Sequence, residues 1–135
     1  MKILVFTEGT IFTHQIPIGQ AARKLQGWKR EGVEIVYLTS RREPADIVQV
    51  RDILQRYGFP AGELLFRKVG EEYKDVAEKA LPDIIIEDDC ESIGGEVEMT
   101  YPHIRAEIKA KIKSIVVKDG GGVDHLPDRV NDLVD

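Results

Sequence analysis

Ile3-Leu4-Val5-Phe6 is an unbroken apolar run of strand-forming residues that ends at Glu8-Gly9-Thr10, and such a run asks to be buried on both faces of a sheet. The pattern recurs. Residues 33–39, 64–66, 83–87 and 114–117 read as four further strands, separated by stretches with apolar residues at helical spacing. The first helix presents Ile18, Ala21, Ala22, Leu25 and Trp28, with Gly32 where a left-handed cap belongs. The second presents Ile47, Val50, Ile53, Leu54 and Tyr57 and stops at Gly58 and Pro60. A third, over residues 71–80, places Tyr73, Val76, Ala77 and Ala80 on one face, and a fourth is expected from Pro102 with Ile104, Ile108 and Ile112 buried. Strands and helices in alternation imply right-handed crossovers and an α/β fold, a parallel sheet covered on both faces.

At 135 residues the chain is expected to form one domain over 1–135, its core over residues 2–118 and a tail over 123–135 that is polar apart from Leu126, Val130 and Leu133. Nineteen Lys and Arg against 24 Asp and Glu give a net charge of −5, which argues against nucleic acid or an anionic membrane surface as partner. The single cysteine, Cys90, cannot form an intramolecular disulfide. Met1-Lys2 runs straight into the first strand rather than into a signal peptide, and no apolar run approaches the roughly 20 residues of a membrane span. The expected location is therefore the cytoplasm.

In a parallel sheet the ligand site lies beyond the carboxyl ends of the strands, so the places to look are residues 7–10, 39–42, 67–70, 87–91 and 119–122. Thr7-Glu8-Gly9-Thr10 offers hydroxyls, a carboxylate and a glycine whose backbone can approach an anion, so Gly9 and Thr10 are candidate phosphate ligands. Thr39-Ser40-Arg41-Arg42 adds hydroxyls and guanidiniums to the same edge, which makes Ser40 and Arg41 candidates for the same task. Glu87, Asp88, Asp89 and Glu91 put four carboxylates within five residues at a buried strand end, a set of hard oxygen donors suited to magnesium. Asp88 or Asp89 is expected close to Glu8, with Lys74 or Lys68 balancing the charge. Asp83 belongs at the opposite end of its strand. His14, His103 and His125 have no zinc-site spacing, and Cys90 beside carboxylates reads as a packed small residue rather than a nucleophile.

A first strand ending in Glu8-Gly9-Thr10, a second ending in Thr39-Ser40, a following lysine and a fourth strand ending in Asp88-Asp89 together resemble the haloacid dehalogenase superfamily over residues 2–118. The resemblance implies a Rossmannoid three-layer sandwich whose five-stranded parallel sheet has strand order 5-4-1-2-3. It also implies a degenerate catalytic set of Glu8, Thr39 and Lys74, or Lys68 in its place, with metal on Asp88 and Asp89. Phe6 stands where the family has its nucleophilic aspartate, and phenylalanine can neither form an aspartyl-phosphate nor bind magnesium. The expectation is a divergent, capless member that has lost phosphatase chemistry, holds magnesium weakly or not at all, and serves as a phosphate-ligand-binding, regulatory or assembly module. Its expected partner is a small phosphorylated ligand or a protein, with self-association an option. The alternative is an active magnesium-dependent phosphohydrolase using Glu8 or metal-activated water. The first forty residues also resemble nucleotide-sugar glycosyltransferases, whose second domain this length does not accommodate.

Overall fold

The computed structural model describes residues 1–134. Five strands form one parallel sheet: β1 (Lys2–Phe6), β4 (Glu34–Leu38), β5 (Glu63–Leu65), β6 (Ile84–Asp88) and β7 (Lys113–Val117), ordered β5-β4-β1-β6-β7. β1 is central, as its unbroken apolar run requires. The numerals differ from the expected 5-4-1-2-3 because a two-stranded hairpin, β2 (Phe12–Thr13) and β3 (Ile16–Pro17), follows β1 in the chain and takes two numbers. Residues 12–17 carry no glycine or asparagine that would signal that hairpin.

Alternation along β1 sends Ile3 and Val5 to one face and Leu4 to the other. On the first face Ile3, Val5, Ile35, Tyr37, Ile84 and Ile86 pack under α1 (Ala21–Arg30) and α2 (Pro44–Arg56) through Leu25, Trp28, Val50 and Ile53. On the second face Leu4, Val36, Leu38 and Ile85 meet Val76 and Ala77 of α3 (Tyr73–Ala80), together with Ile104 and Ile112. The layers are therefore set by strand parity and by the apolar stripe of each helix.

One expectation needs correction. The helix expected from Pro102 is a 3-10 turn over Tyr101–His103, an extended Ile104 and a short α4 (Ala106–Lys109). Ile104 and Ile112 are still buried, but through a bent path rather than along one helix face. The apolar residues of the tail attach it to the fold: Val123, Val130 and Leu133 join the first core, the last two from α5 (Val130–Val134), and Leu126 packs against it. Asp135 lies outside the described residues. Among the described residues, no helix is long and apolar enough to cross a membrane.

Candidate functional site at the carboxyl edge of the sheet

The carboxyl ends of β1, β4, β6 and β7 converge on one edge, and two clusters form there. In the first, Glu8 is gripped from three sides. Its carboxylate accepts bonds from the hydroxyl of Thr7 at 2.6 Å, of Thr39 at 2.8 and 3.0 Å, and from the amide and hydroxyl of Ser40 at 3.0 and 3.1 Å. The Arg41 guanidinium lies 3.8 Å away and also reaches Asp46 at 4.0 Å. Glu8 thus ties the end of β1 to the end of β4, and the hydroxyls of Thr39 and Ser40 are already spent on it.

The second cluster joins β6 to the loop after β7. One oxygen from each of Asp88, Asp89 and Asp119 lies within 4.8 Å of the others. Protein donors hold each carboxylate in place: Thr10 Oγ1 and the Cys90 amide on Asp88, the amides of Glu91 and Asp119 on Asp89, and the amide and hydroxyl of Ser92 on Asp119. Oδ2 of Asp89 and Oδ1 of Asp119 accept no bond from the protein among the described residues, and no Lys or Arg pairs with any of the three. Burial, with the charge of Asp119 adding, pushes the Asp88 carboxyl above the usual aspartate range, whereas the Ser92 bonds hold Asp119 below it. Gly9 completes the wall. Its φ of +82° is left-handed, and a Cβ there would sit 3.1 Å from Asp88 Oδ1, so the close approach of this loop to the carboxylates depends on glycine.

Several predicted site residues fall elsewhere. The like-charge neighbour of Asp88 is Asp119, not Glu8, because Glu8 turns toward β4. Glu87 leaves the acidic cluster altogether: the strand alternation points it to the second face, where it is 2 % exposed and accepts bonds from the amides of Thr100 at 2.8 Å and Tyr101 at 2.9 Å. Glu91 is exposed. Lys74 pairs with Glu72 at 4.0 Å and Lys68 is exposed, so neither is bonded to Glu8 or the aspartates. Phe6 stacks edge-on against Tyr73, ring centroids 5.6 Å apart. Gly9 and Thr10 donate their amides to Phe12 and Thr7, and Thr10 gives its hydroxyl to Asp88. Asp83 does lie at the far end, accepting a bond from the Lys2 amide. Cys90, in a left-handed conformation with φ of 56°, has its thiol pushed up to about 12 by burial and then by the surrounding carboxylates.

Asp119 and Arg67 were missed as individual residues. Asp119 sits in a turn whose partnership with Asp88 exists only once β6 and β7 pair. Arg67 stacks over Tyr73 at 4.0 Å and donates to the Ser40 carbonyl at 3.4 Å. Near this edge the buried Thr100 hydroxyl has no hydrogen-bond partner among the described residues. Thr100→Val is therefore expected to raise the unfolding free energy by about 1 kcal/mol, since it removes an unsatisfied polar atom at nearly constant shape. A urea midpoint below that of the wild type counts against this account of the hydroxyl.

No family model and no curated protein matches the chain. Among solved structures, the crystal structure of a universal stress protein in complex with cAMP is similar, with a TM-score of 0.45 and 11 % identity over 87 % of this chain and 96 % of that one. The haloacid dehalogenase resemblance is corrected by these findings. No family model supports it, and the geometry offers neither a nucleophile at Phe6, which packs against Tyr73, nor, among the described residues, a lysine paired with Glu8 or the aspartates. With it go both functions built on that resemblance, the lapsed phosphatase module and the active phosphohydrolase.

Proposed function

We propose that this chain, acting as one domain, binds a small phosphorylated ligand through a divalent cation held by Asp88, Asp89 and Asp119. The supporting observation is the convergence of three carboxylates, from the end of β6 and the loop after β7, with oxygens within 4.8 Å and, among the described residues, no basic side chain paired to them. All donors are hard oxygens, two of them with no protein donor, and this fits magnesium, which keeps several waters and bridges carboxylate to phosphate. When bound, the cation supplies the positive charge that draws a phosphate to an acidic edge. The cation has to do this work because Gly9, Thr10 and Ser40 have already committed their amides and hydroxyls within the protein. Arg41, half-exposed beside Glu8, is the side chain left to meet the rest of the ligand.

Magnesium at ten times its dissociation constant is expected to add about 1.4 kcal/mol to the folded state, a rise of roughly 5 °C in melting temperature. The increment has a definite pH dependence. Because the folded pKa of Asp88 is raised, this group contributes stability that is fully present below the ordinary aspartate value and lost as pH rises through the folded value. The cation offsets that loss, so its effect grows with pH and fades where Asp88 takes up its proton. Asp89→Asn with Asp119→Asn keeps an oxygen for the positioning amides and removes two charges, so the response to magnesium should vanish with little change in basal stability. ATP is then titrated with and without magnesium, and binding is expected only with the metal. An unmoved melting temperature in excess magnesium sinks the cation site, and equal ATP binding without metal sinks its role in holding the phosphate.

A further inference from the structure

On α1, away from the aspartate cluster, a groove of about 470 Å³ runs between the helix and the segment carrying Asp124 and Asp128, with Arg23, Lys24, Gly27 and Arg30 along its helical wall. The acids of the other wall are already engaged. Asp124 accepts the Gln20 amide through both oxygens, at 2.9 and 3.0 Å. Asp128 pairs with Lys24 at 2.6 Å, and that pairing holds its carboxyl below the usual range. Lys24 also donates to the Leu126 carbonyl at 2.6 Å, and Trp28 Nε1 donates to the Pro127 carbonyl at 3.0 Å, so the far wall is fastened to the helix rather than loosely apposed. Two cations are left over. Among the described residues, Arg23 and Arg30 form no ion pair and no side-chain hydrogen bond.

Gly27 lies between them and is the second, independent observation. Glycine inside a helix is less stable than alanine, because it gives up more backbone freedom on folding. Here no neighbour demands it: a Cβ at Gly27 would meet only Arg30 Nη2, at 4.0 Å. Packing does not demand the residue, and its lack of a side chain leaves the groove floor low beneath the Arg30 guanidinium.

We propose that this groove binds a small ligand carrying two or more anionic groups, phosphate or carboxylate, with Arg23 and Arg30 as its forked donors and Gly27 as its floor. The two arginines are seven residues apart on one face of the helix, with Arg30 folded back over Gly27, and two forked donors along one groove suit a polyanion better than a single monovalent anion. The placement of two unpaired cations on a chain of net charge −5 makes the patch a local exception to the field around it. This inference is independent of the cation site at the sheet edge.

The test is calorimetric titration of the full chain with pyrophosphate, citrate and acetate in buffer free of divalent cations, which separates it from any magnesium-dependent binding elsewhere. Pyrophosphate or citrate is expected to bind saturably, with acetate at least about tenfold weaker. Arg23→Gln with Arg30→Gln, and separately Gly27→Leu, should each weaken that binding at least about tenfold, whereas Lys111→Gln, an exposed charge change on another segment, should leave it unchanged. Preference between pyrophosphate and citrate tells phosphate from carboxylate as the natural group. Gly27→Ala provides a second readout, a higher melting temperature, because helix propensity improves and no contact is lost. The proposal is overturned by the absence of saturable binding to either polyanion. It is equally overturned if Lys111→Gln weakens binding as much as the arginine variants, or if Gly27→Ala lowers the melting temperature.

Discussion

Glu87→Ala is expected to lower the unfolding free energy by about 2–5 kcal/mol, because two amides, those of Thr100 and Tyr101, lose their shared acceptor inside the protein. The carboxylate is the clasp that fixes the segment between Asp89 and α4. Without it the 3-10 turn at Tyr101–His103 loses these hydrogen bonds to the sheet and keeps only its apolar packing, and amides over residues 91–103 should exchange with solvent faster than those of β1 or β6. Glu87→Gln retains one acceptor oxygen and turns a donor toward the other amide, so its loss should fall between wild type and alanine. The pH dependence separates the clasp from simple volume loss. Burial raises the Glu87 carboxyl above its ordinary value despite the two amide bonds. A raised acid contributes stability that is fully present below the unfolded pKa and lost as pH rises through the folded one. Wild type should therefore show an added decline in stability across that window, and the glutamine variant should not. Urea midpoints for the three proteins at several pH values decide the matter. An alanine variant as stable as wild type, or parallel pH profiles for wild type and glutamine, would mean that the amides find other partners.

The strands were readable because their signal is local. Ile3 to Phe6 and Ile84 to Ile86 are apolar without alternation, and only a strand covered on both faces accommodates that. The hairpin after β1 was hidden for the opposite reason. Its turn uses His14 and Gln15 at φ of 50° and 67°, positions where glycine or asparagine would have announced it. The expected fourth helix is broken at Ile104, which is extended and buried in the second core, while the next amide, that of Arg105, is held by Glu78 at 2.9 Å, contacts from distant segments that local spacing does not reveal. At the site, the sheet rule placed Glu8, Thr39, Ser40, Asp88 and Asp89 on one edge, but it could not say which of them would face each other. Glu8 satisfied itself with the hydroxyls of β4, and Asp88 found Asp119 instead. Composition names the donors and acceptors available at an edge, and only the register of neighbouring strands decides which pairs close.

Trp28→Ala should be the most damaging single replacement, about 4–6 kcal/mol, and its effect should reach the end of the chain. The Trp28 side chain is fully buried in the core formed by α1 and the sheet, and truncating such a residue removes its apolar burial and leaves a cavity, together worth about 3–5 kcal/mol. The indole also donates to the Pro127 carbonyl at 3.0 Å, and losing that bond adds roughly 1 kcal/mol. Pro127 lies in the segment that carries Leu126, Val130 and Leu133 onto the first core, so the hydrogen bond couples α1 to the tail. Trp28→Phe distinguishes the two contributions: it keeps an aromatic ring in the core and drops only the N–H and some volume. Its stability should lie well above that of the alanine variant, while amide exchange in residues 126–134 should already be faster than in wild type. Lys24 and the Arg129–Glu31 pair at 3.1 Å still hold the segment, so the tail should loosen in the phenylalanine variant rather than detach. If phenylalanine leaves tail exchange unchanged while alanine destabilises as expected, the indole acts only by filling space, and the coupling of α1 to the tail rests on Lys24 and Arg129.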